Sequence, residues 1–244
     1  IISINYGKIT GLMLDPIEKK PLRRFCPGSR ILSVGSFGCN LACPFCQNYE
    51  ISMTGEPEAE YREISPEELD GLAREYKKYG NIGLAFTYNE PLVGYEFVRD
   101  TAKLVREHGM KNVLVTNGSA ELEILEELLP YIDAMNIDLK GFTEAYYRKL
   151  GGDLETVKRF IRRSAEACHV ELTTLILPGE NDSEKEMEEE AKWIASIDPD
   201  IPLHVTRFFP RYKMTDRQAT EVGKVYRLKE CAEKYLKYVY TGNC

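Results

Sequence analysis

The sequence predicts an α/β fold, a partial (β/α)6 TIM-like barrel, on three observations. Short apolar strands alternate with helical stretches of roughly ten to fifteen residues, the pattern of parallel βαβ units. Each strand runs into polar or turn-forming residues, as barrel strands do at the face that carries active sites. A chain of 244 residues, 43% of them hydrophobic, can bury one sizeable core. An open doubly wound sheet is the other architecture that such units can build.

Residues 1–30 read as an irregular N-terminal surface arm, and 31–244 as the barrel domain. Ser3 to Ile9 has the make-up of an edge strand or ribbon, and Pro16, Pro21, Pro27 and Gly28 break any longer element. Ile31–Gly35 is the first barrel strand. Ser65-Pro66-Glu67-Glu68 opens a helix with a capping box and a proline in its first turn, and Gly80 stops it. Asn81–Thr87 is a strand, followed by a helix from about Val93 to His108 that Gly109 ends. Lys111–Thr116 is a strand, Glu121–Leu129 a helix, and Ala134–Leu139 a strand. Helical pattern then covers 143–149 and 154–167. Val170–Leu177 and Leu203–Phe208 are strands around the acidic helix Ser183–Ala195. Ala219–Tyr235 is the last helix and Tyr238–Tyr240 a short final strand.

Composition excludes several functions. A net charge of −7 disfavours wrapping around nucleic acid. No apolar run approaches the roughly 20 residues of a membrane helix, and no signal peptide is visible. Seven cysteines are too sparse for a disulfide scaffold, and Cys26, Cys168, Cys231 and Cys244 show no pairing pattern. A reducing cytoplasm is the expected location. Ile1 in place of a starting methionine leads us to expect a preceding segment.

The specific chemical signal is Gly38-Cys39-Asn40-Leu41-Ala42-Cys43-Pro44-Phe45-Cys46-Gln47-Asn48. Cys39, Cys43 and Cys46 put three soft anionic ligands on one loop after the first strand. A closed structural zinc site takes four protein ligands, and a [4Fe–4S] cluster has four irons. One coordination position is therefore left open. His108, His169 and His204 lie far off in ordinary helix or strand positions, and only a distant Cys26 could make a fourth thiolate. A zinc-binding interaction protein without catalysis is the non-enzyme alternative. An open iron would chelate an amine and a carboxylate together. Glu90 could take the ammonium of such a guest and Lys140 its carboxylate. Phe45 could lie beside a planar ring, and Asn117 and Asp138 could meet sugar hydroxyls. The other strand ends carry Thr116-Asn117-Gly118, Pro178-Gly179 and Arg207-Phe208-Phe209-Pro210-Arg211-Tyr212.

C-x3-C-x-aromatic-C resembles the radical S-adenosylmethionine (SAM) superfamily. Within it, Gly38-Cys39-Asn40-Leu41, Cys46-Gln47-Asn48, Tyr88-Asn89-Glu90-Pro91, Thr116-Asn117-Gly118, Asp138-Leu139-Lys140 and Leu177-Pro178-Gly179 resemble the pyruvate formate-lyase activating enzyme branch. Asp15 to Leu22, Phe37-Gly38-Cys39, Tyr49-Glu50-Ile51-Ser52 and Arg207 to Met214 are similar to its AmmeMemoRadiSam subgroup. The resemblance implies a [4Fe–4S] cluster on Cys39, Cys43 and Cys46, with SAM on the fourth iron. It implies reductive cleavage of SAM to methionine and a 5′-deoxyadenosyl radical that abstracts hydrogen from a substrate. It implies that Asn89 and Glu90 hold the methionine amine and Lys140 its carboxylate, and the expected cofactor contacts are Phe45, Asn89, Glu90, Thr116, Asn117, Asp138 and Lys140. Val115 stands where activating enzymes usually have an acidic residue before Thr-Asn-Gly, which puts the family's cation site in doubt. Arg207, Arg211 and Tyr212 are the candidates for substrate contact. The substrate is either a glycyl-radical protein or another macromolecule or small molecule. A flavodoxin or ferredoxin is the expected electron donor, with Lys19, Lys20, Arg23, Arg24 and Arg30 as a basic surface that docks it.

Overall fold

A computed structural model describes residues 3–244. The strands are β1 (Lys8–Ile9), β2 (Gly11–Pro16), β3 (Arg30–Gly35), β4 (Arg62–Glu63), β5 (Asn81–Phe86), β6 (Lys111–Thr116), β7 (Ala134–Asp138), β8 (His169–Ile176), β9 (Leu203–Arg207) and β10 (Val239–Gly242). The α-helices are α1 (Tyr49–Ser52), α2 (Pro66–Glu75), α3 (Tyr95–Glu107), α4 (Leu122–Leu128), α5 (Glu144–Leu150), α6 (Leu154–Ala165), α7 (Glu184–Ile197) and α8 (Val222–Ala232). One eight-stranded sheet runs β10-β9-β8-β7-β6-β5-β3-β2. Neighbours from β3 to β10 pair in parallel, and β2 is the one antiparallel member, lying along β3. β2 and β10 do not pair, so the barrel is partial.

Local chemistry sets the elements. Ser65 caps α2 through the expected capping box with Glu68. Thr143, Asp153 and Ser183 cap α5, α6 and α7 with their side-chain oxygens. Strand residues alternate between two faces. Leu84, Phe86, Leu114, Ile137 and Leu172 join the core beneath the helices. Ile31, Ala85, Val113 and Ala134 point to the inner face, where Ile17 and Leu22 cover them.

That cover departs from the surface arm expected before residue 31. Gly11–Pro16 is a full member of the sheet. Ile17 and Leu22 are completely buried. The segment after β2 folds under the barrel as a floor. The Arg23 and Arg24 amides donate to the Glu171 carboxylate at 3.0 and 2.7 Å, and Asn136 Nδ2 donates to the Pro21 carbonyl at 2.9 Å. The Arg24 guanidinium stacks 3.8 Å from the Tyr238 ring centroid, beside β10. This segment bridges the gap that the strands leave open. Its prolines break regular structure, as expected, but a broken segment can still bury side chains.

The same packing removes Lys20 from the expected basic docking surface, while Lys19, Arg23, Arg24 and Arg30 stay exposed. Lys20 is 3% exposed and pairs with Asp15 at 3.0 Å. The backbone amides of Arg23 and Arg24 are tied to the barrel floor through Glu171, and both residues stay exposed. The floor lies at the N-terminal ends of the strands, and the cysteine loop at the opposite end.

The last helix is shorter than the predicted Ala219–Tyr235, because residues before Val222 are spent on closing a loop. Thr220 donates its hydroxyl to the Ile176 carbonyl, and its own carbonyl accepts from Arg207 Nε at 2.6 Å.

Candidate functional site

The polar ends of β3, β5, β6 and β7 meet around the cysteine loop. Cys39, Cys43 and Cys46 are free thiols, Cys43 buried and the other two partly so. Leu41, Phe45, Tyr146, Leu150, Phe208 and Met214 form an apolar jacket with Cys43. Burial pushes the Cys39 thiol up to about 11, although the Leu41 amide, 3.4 Å from its sulfur, opposes the shift. Burial also raises Cys43, against the opposing pull of Lys140. A buried bare thiolate is costly, and a bound metal centre removes that cost. Asn117 Nδ2 also approaches Cys39 Sγ, at 3.7 Å. The Tyr146 hydroxyl is buried without a partner in the same jacket.

Three neighbouring soft donors with amides turned toward sulfur fit an iron–sulfur cluster. Among the described residues no three Cys, His, Asp or Glu side chains converge on a point where one metal ion could sit.

Glu90 stands at the end of β5 and is 4% exposed. Its Oε1 accepts from the Thr116 hydroxyl at 2.6 Å and the Leu92 amide at 3.0 Å, and its Oε2 from the Asn117 amide at 2.7 Å. Burial still pushes the carboxyl up to about 7 against these donors. Lys140, at the end of β7, pairs with Asp138 at 2.7 Å. Burial pulls its ammonium down, but Asp138, and then Cys43, outweigh burial and hold it up. A buried carboxylate and a partly buried ammonium thus flank the thiols.

Other expected contacts are engaged by the loop itself. Asn89 Oδ1 accepts from the Ser36 amide at 2.9 Å, and its Nδ2 donates to the carbonyls of Phe37, Gly38 and Glu90. Asn117 Nδ2 donates to Asn40 Oδ1 at 2.8 Å, and its Oδ1 accepts from the Ser119 amide. These two amides shape the loop that presents the cysteines. Phe45 is buried in the jacket.

The structure separates Arg207, Arg211 and Tyr212. Arg207 is half-buried, bonded to Thr220 and beside Phe209. Arg211 is exposed. Tyr212 stacks on Tyr49 of α1 at 4.7 Å, and the next amide, Lys213, donates to the Pro44 carbonyl at 2.9 Å. This segment therefore lies over the cysteine loop. Sequence reasoning missed Tyr49 and Tyr146, whose proximity arises only in the fold. It also missed the part played by Tyr88. That residue has φ +75°, a conformation that costs a side-chain-bearing residue about 1–3 kcal/mol.

Comparison with known proteins gives the family of the chain. The family profile of the Radical SAM superfamily matches residues 33–191. The chain is 39% identical over 246 residues to an uncharacterized protein of Methanocaldococcus jannaschii, covering 100% of this chain and 72% of that one. It is 26% identical over 217 residues to the pyruvate formate-lyase-activating enzyme of Clostridium pasteurianum, covering 82% and 87% of the two chains. Among solved structures, Streptococcus suis SuiB bound to S-adenosylmethionine superposes with a TM-score of 0.69 at 16% identity, over 86% of this chain and 49% of that one. No helix among the described residues is long and apolar enough to cross a membrane. The chain belongs to the radical SAM superfamily, on its pyruvate formate-lyase-activating-enzyme-like branch, and the cofactors of that superfamily are a [4Fe–4S] cluster and SAM.

Proposed function

We propose that Cys39, Cys43 and Cys46 hold the cluster, and that Glu90 and Lys140 receive the amino acid head of SAM. The observation that carries this reading is the placement of one buried carboxylate, Glu90, and one partly buried ammonium, Lys140, beside three free thiols. When bound and reduced, the cluster supplies the electron that cleaves SAM to methionine and a 5′-deoxyadenosyl radical, which takes hydrogen from a substrate. The residues of this chain bind and orient. Glu90 gives the ammonium an acceptor already fixed by three donors. Lys140 meets the carboxylate, and Asp138, its present partner, turns to the ribose. Phe208, Met214 and Phe45 keep water from the thiols.

Activation of a glycyl-radical protein is the favoured reaction, supported by likeness to an activating enzyme over most of both chains. Modification of a small molecule or of another macromolecule is the alternative. An acidic flavodoxin or ferredoxin supplies the electron. Anaerobically reconstituted protein should carry iron and sulfide and release 5′-deoxyadenosine from SAM and dithionite. Deuterium transfer into 5′-deoxyadenosine from a labelled candidate then identifies the substrate, because only the true donor gives up hydrogen. Colourless protein with stoichiometric zinc would overturn the reading.

A further inference from the structure

Tyr88 joins the two ends of the barrel. Its backbone, at φ +75°, makes the turn between Thr87 and the pair Asn89–Glu90. Its side chain runs back along the inner face toward the floor. The ring crosses Gly11 and Gly35, and a Cβ on Gly35 would lie 2.8 Å from Tyr88 Cδ2. The hydroxyl donates to Asp15 Oδ2 at 2.8 Å. The same Asp15 oxygen accepts from the buried Lys20 ammonium at 3.0 Å, which also lies 4.6 Å from the centroid of the Tyr88 ring. On the other side, the Tyr88 carbonyl accepts from Asn48 Nδ2 at 2.7 Å, just beyond the cysteines.

A left-handed turn at a tyrosine persists only where its surroundings over-determine it. Here a buried ion pair grips the hydroxyl, Gly35 leaves the ring a slot, and an asparagine holds the carbonyl. One residue later, Asn89 ties the loop from Ser36 to Gly38. Two residues later, Glu90 turns toward Thr116 and Asn117.

We propose that Tyr88 is a positioning residue for the SAM site, its hydroxyl anchored by the Asp15–Lys20 pair so that the strained turn aims Asn89 and Glu90. This rests on the SAM-site reading above. Asp15 and Lys20 act through Tyr88 and touch no ligand themselves. The floor of the barrel thereby sets the geometry of its mouth.

The variant Tyr88→Phe tests it, because it keeps the ring and its packing and removes only the anchor. In the reconstituted holoenzyme, the KM for SAM should rise about five- to twentyfold while kcat stays within about twofold. In cluster-free protein, hydrogen exchange at 87–92 should quicken several-fold with the helices unchanged. Asp15→Ala should raise KM similarly, and the double variant should be no worse than the worse single variant. A Tyr88→Phe protein with wild-type KM and wild-type exchange at 87–92 would overturn the proposal. So would a uniform quickening of exchange across the barrel, which marks a purely structural role. Wild-type protein that fails to cleave SAM would instead overturn the SAM-site reading, and the exchange measurement would still judge the anchor.

Discussion

The Glu90 carboxylate accepts the Asn117 amide at 2.7 Å, joining the end of one barrel strand to the end of the next. Its other oxygen takes the Thr116 hydroxyl, so three donors fix a single buried acid. Glu90→Gln removes the charge and turns an amide N–H toward one of these donors. Losing a charged hydrogen bond costs about 1.5–3 kcal/mol, so SAM affinity should fall about ten- to a hundredfold, measured by equilibrium binding to the reconstituted protein.

The same acid predicts a pH dependence. Burial pushes Glu90 up to about 7 in the ligand-free protein, and only the ionised form receives an ammonium. Below pH 7 SAM affinity should fall toward a limiting slope of about tenfold per pH unit as Glu90 takes up its proton. Glu90→Gln should flatten the profile. An unchanged slope in that variant would assign the titration to another group.

The barrel floor yields a stability prediction. Leu22 is fully buried against the inner face. Leu22→Ala should cost about 2–5 kcal/mol in urea unfolding, the range for a leucine truncated in a packed core. A loose surface arm would lose well under 1 kcal/mol.

Glu171 sets the acid limit of that floor. Burial pushes its carboxyl up, but donors from His169, His204 and the Arg23 and Arg24 amides outweigh burial and bring it to about 2. The folded value is below the unfolded one, near 4.5, so the group stabilises the fold above pH 4.5. That contribution is lost as pH falls toward 2. It amounts to about 3 kcal/mol at neutral pH. Urea unfolding should show Glu171→Gln weaker than wild type at pH 7, with the gap narrowing below pH 4.5.

Tyr212 covers the cysteine loop through its stack on Tyr49. Aromatic pairs contribute about 0.5–1.5 kcal/mol beyond the area they bury. Tyr212→Ala should lower stability by at least that amount and speed bleaching of the reconstituted cluster in air, followed by its visible absorbance. Bleaching at the wild-type rate would move Tyr212 out of the protective cover.

The parallel strands, the helix caps and the cysteine loop were legible in the sequence because each rests on local pattern. Ser65 to Glu68 spells its capping box within four residues, and three cysteines fall within eight. The floor was not legible. Pro21, Pro27 and Gly28 mark broken backbone, and nothing local says whether Leu22 then turns out or in. Its burial depends on Glu171 and Asn136, more than a hundred residues away. The roles of Asn89 and Asn117 were legible as positions but not as contacts. Their amides are engaged by loop carbonyls and by Asn40, partners that only the folded loop supplies.

The most direct test of the central claim compares wild type with Cys43→Ala after anaerobic reconstitution, measuring 5′-deoxyadenosine released from SAM and dithionite. Wild type should hold close to four irons per chain and release 5′-deoxyadenosine, and Cys43→Ala should release none while keeping its folded circular dichroism. Continued SAM cleavage by Cys43→Ala would contradict the assignment of the cluster to this loop.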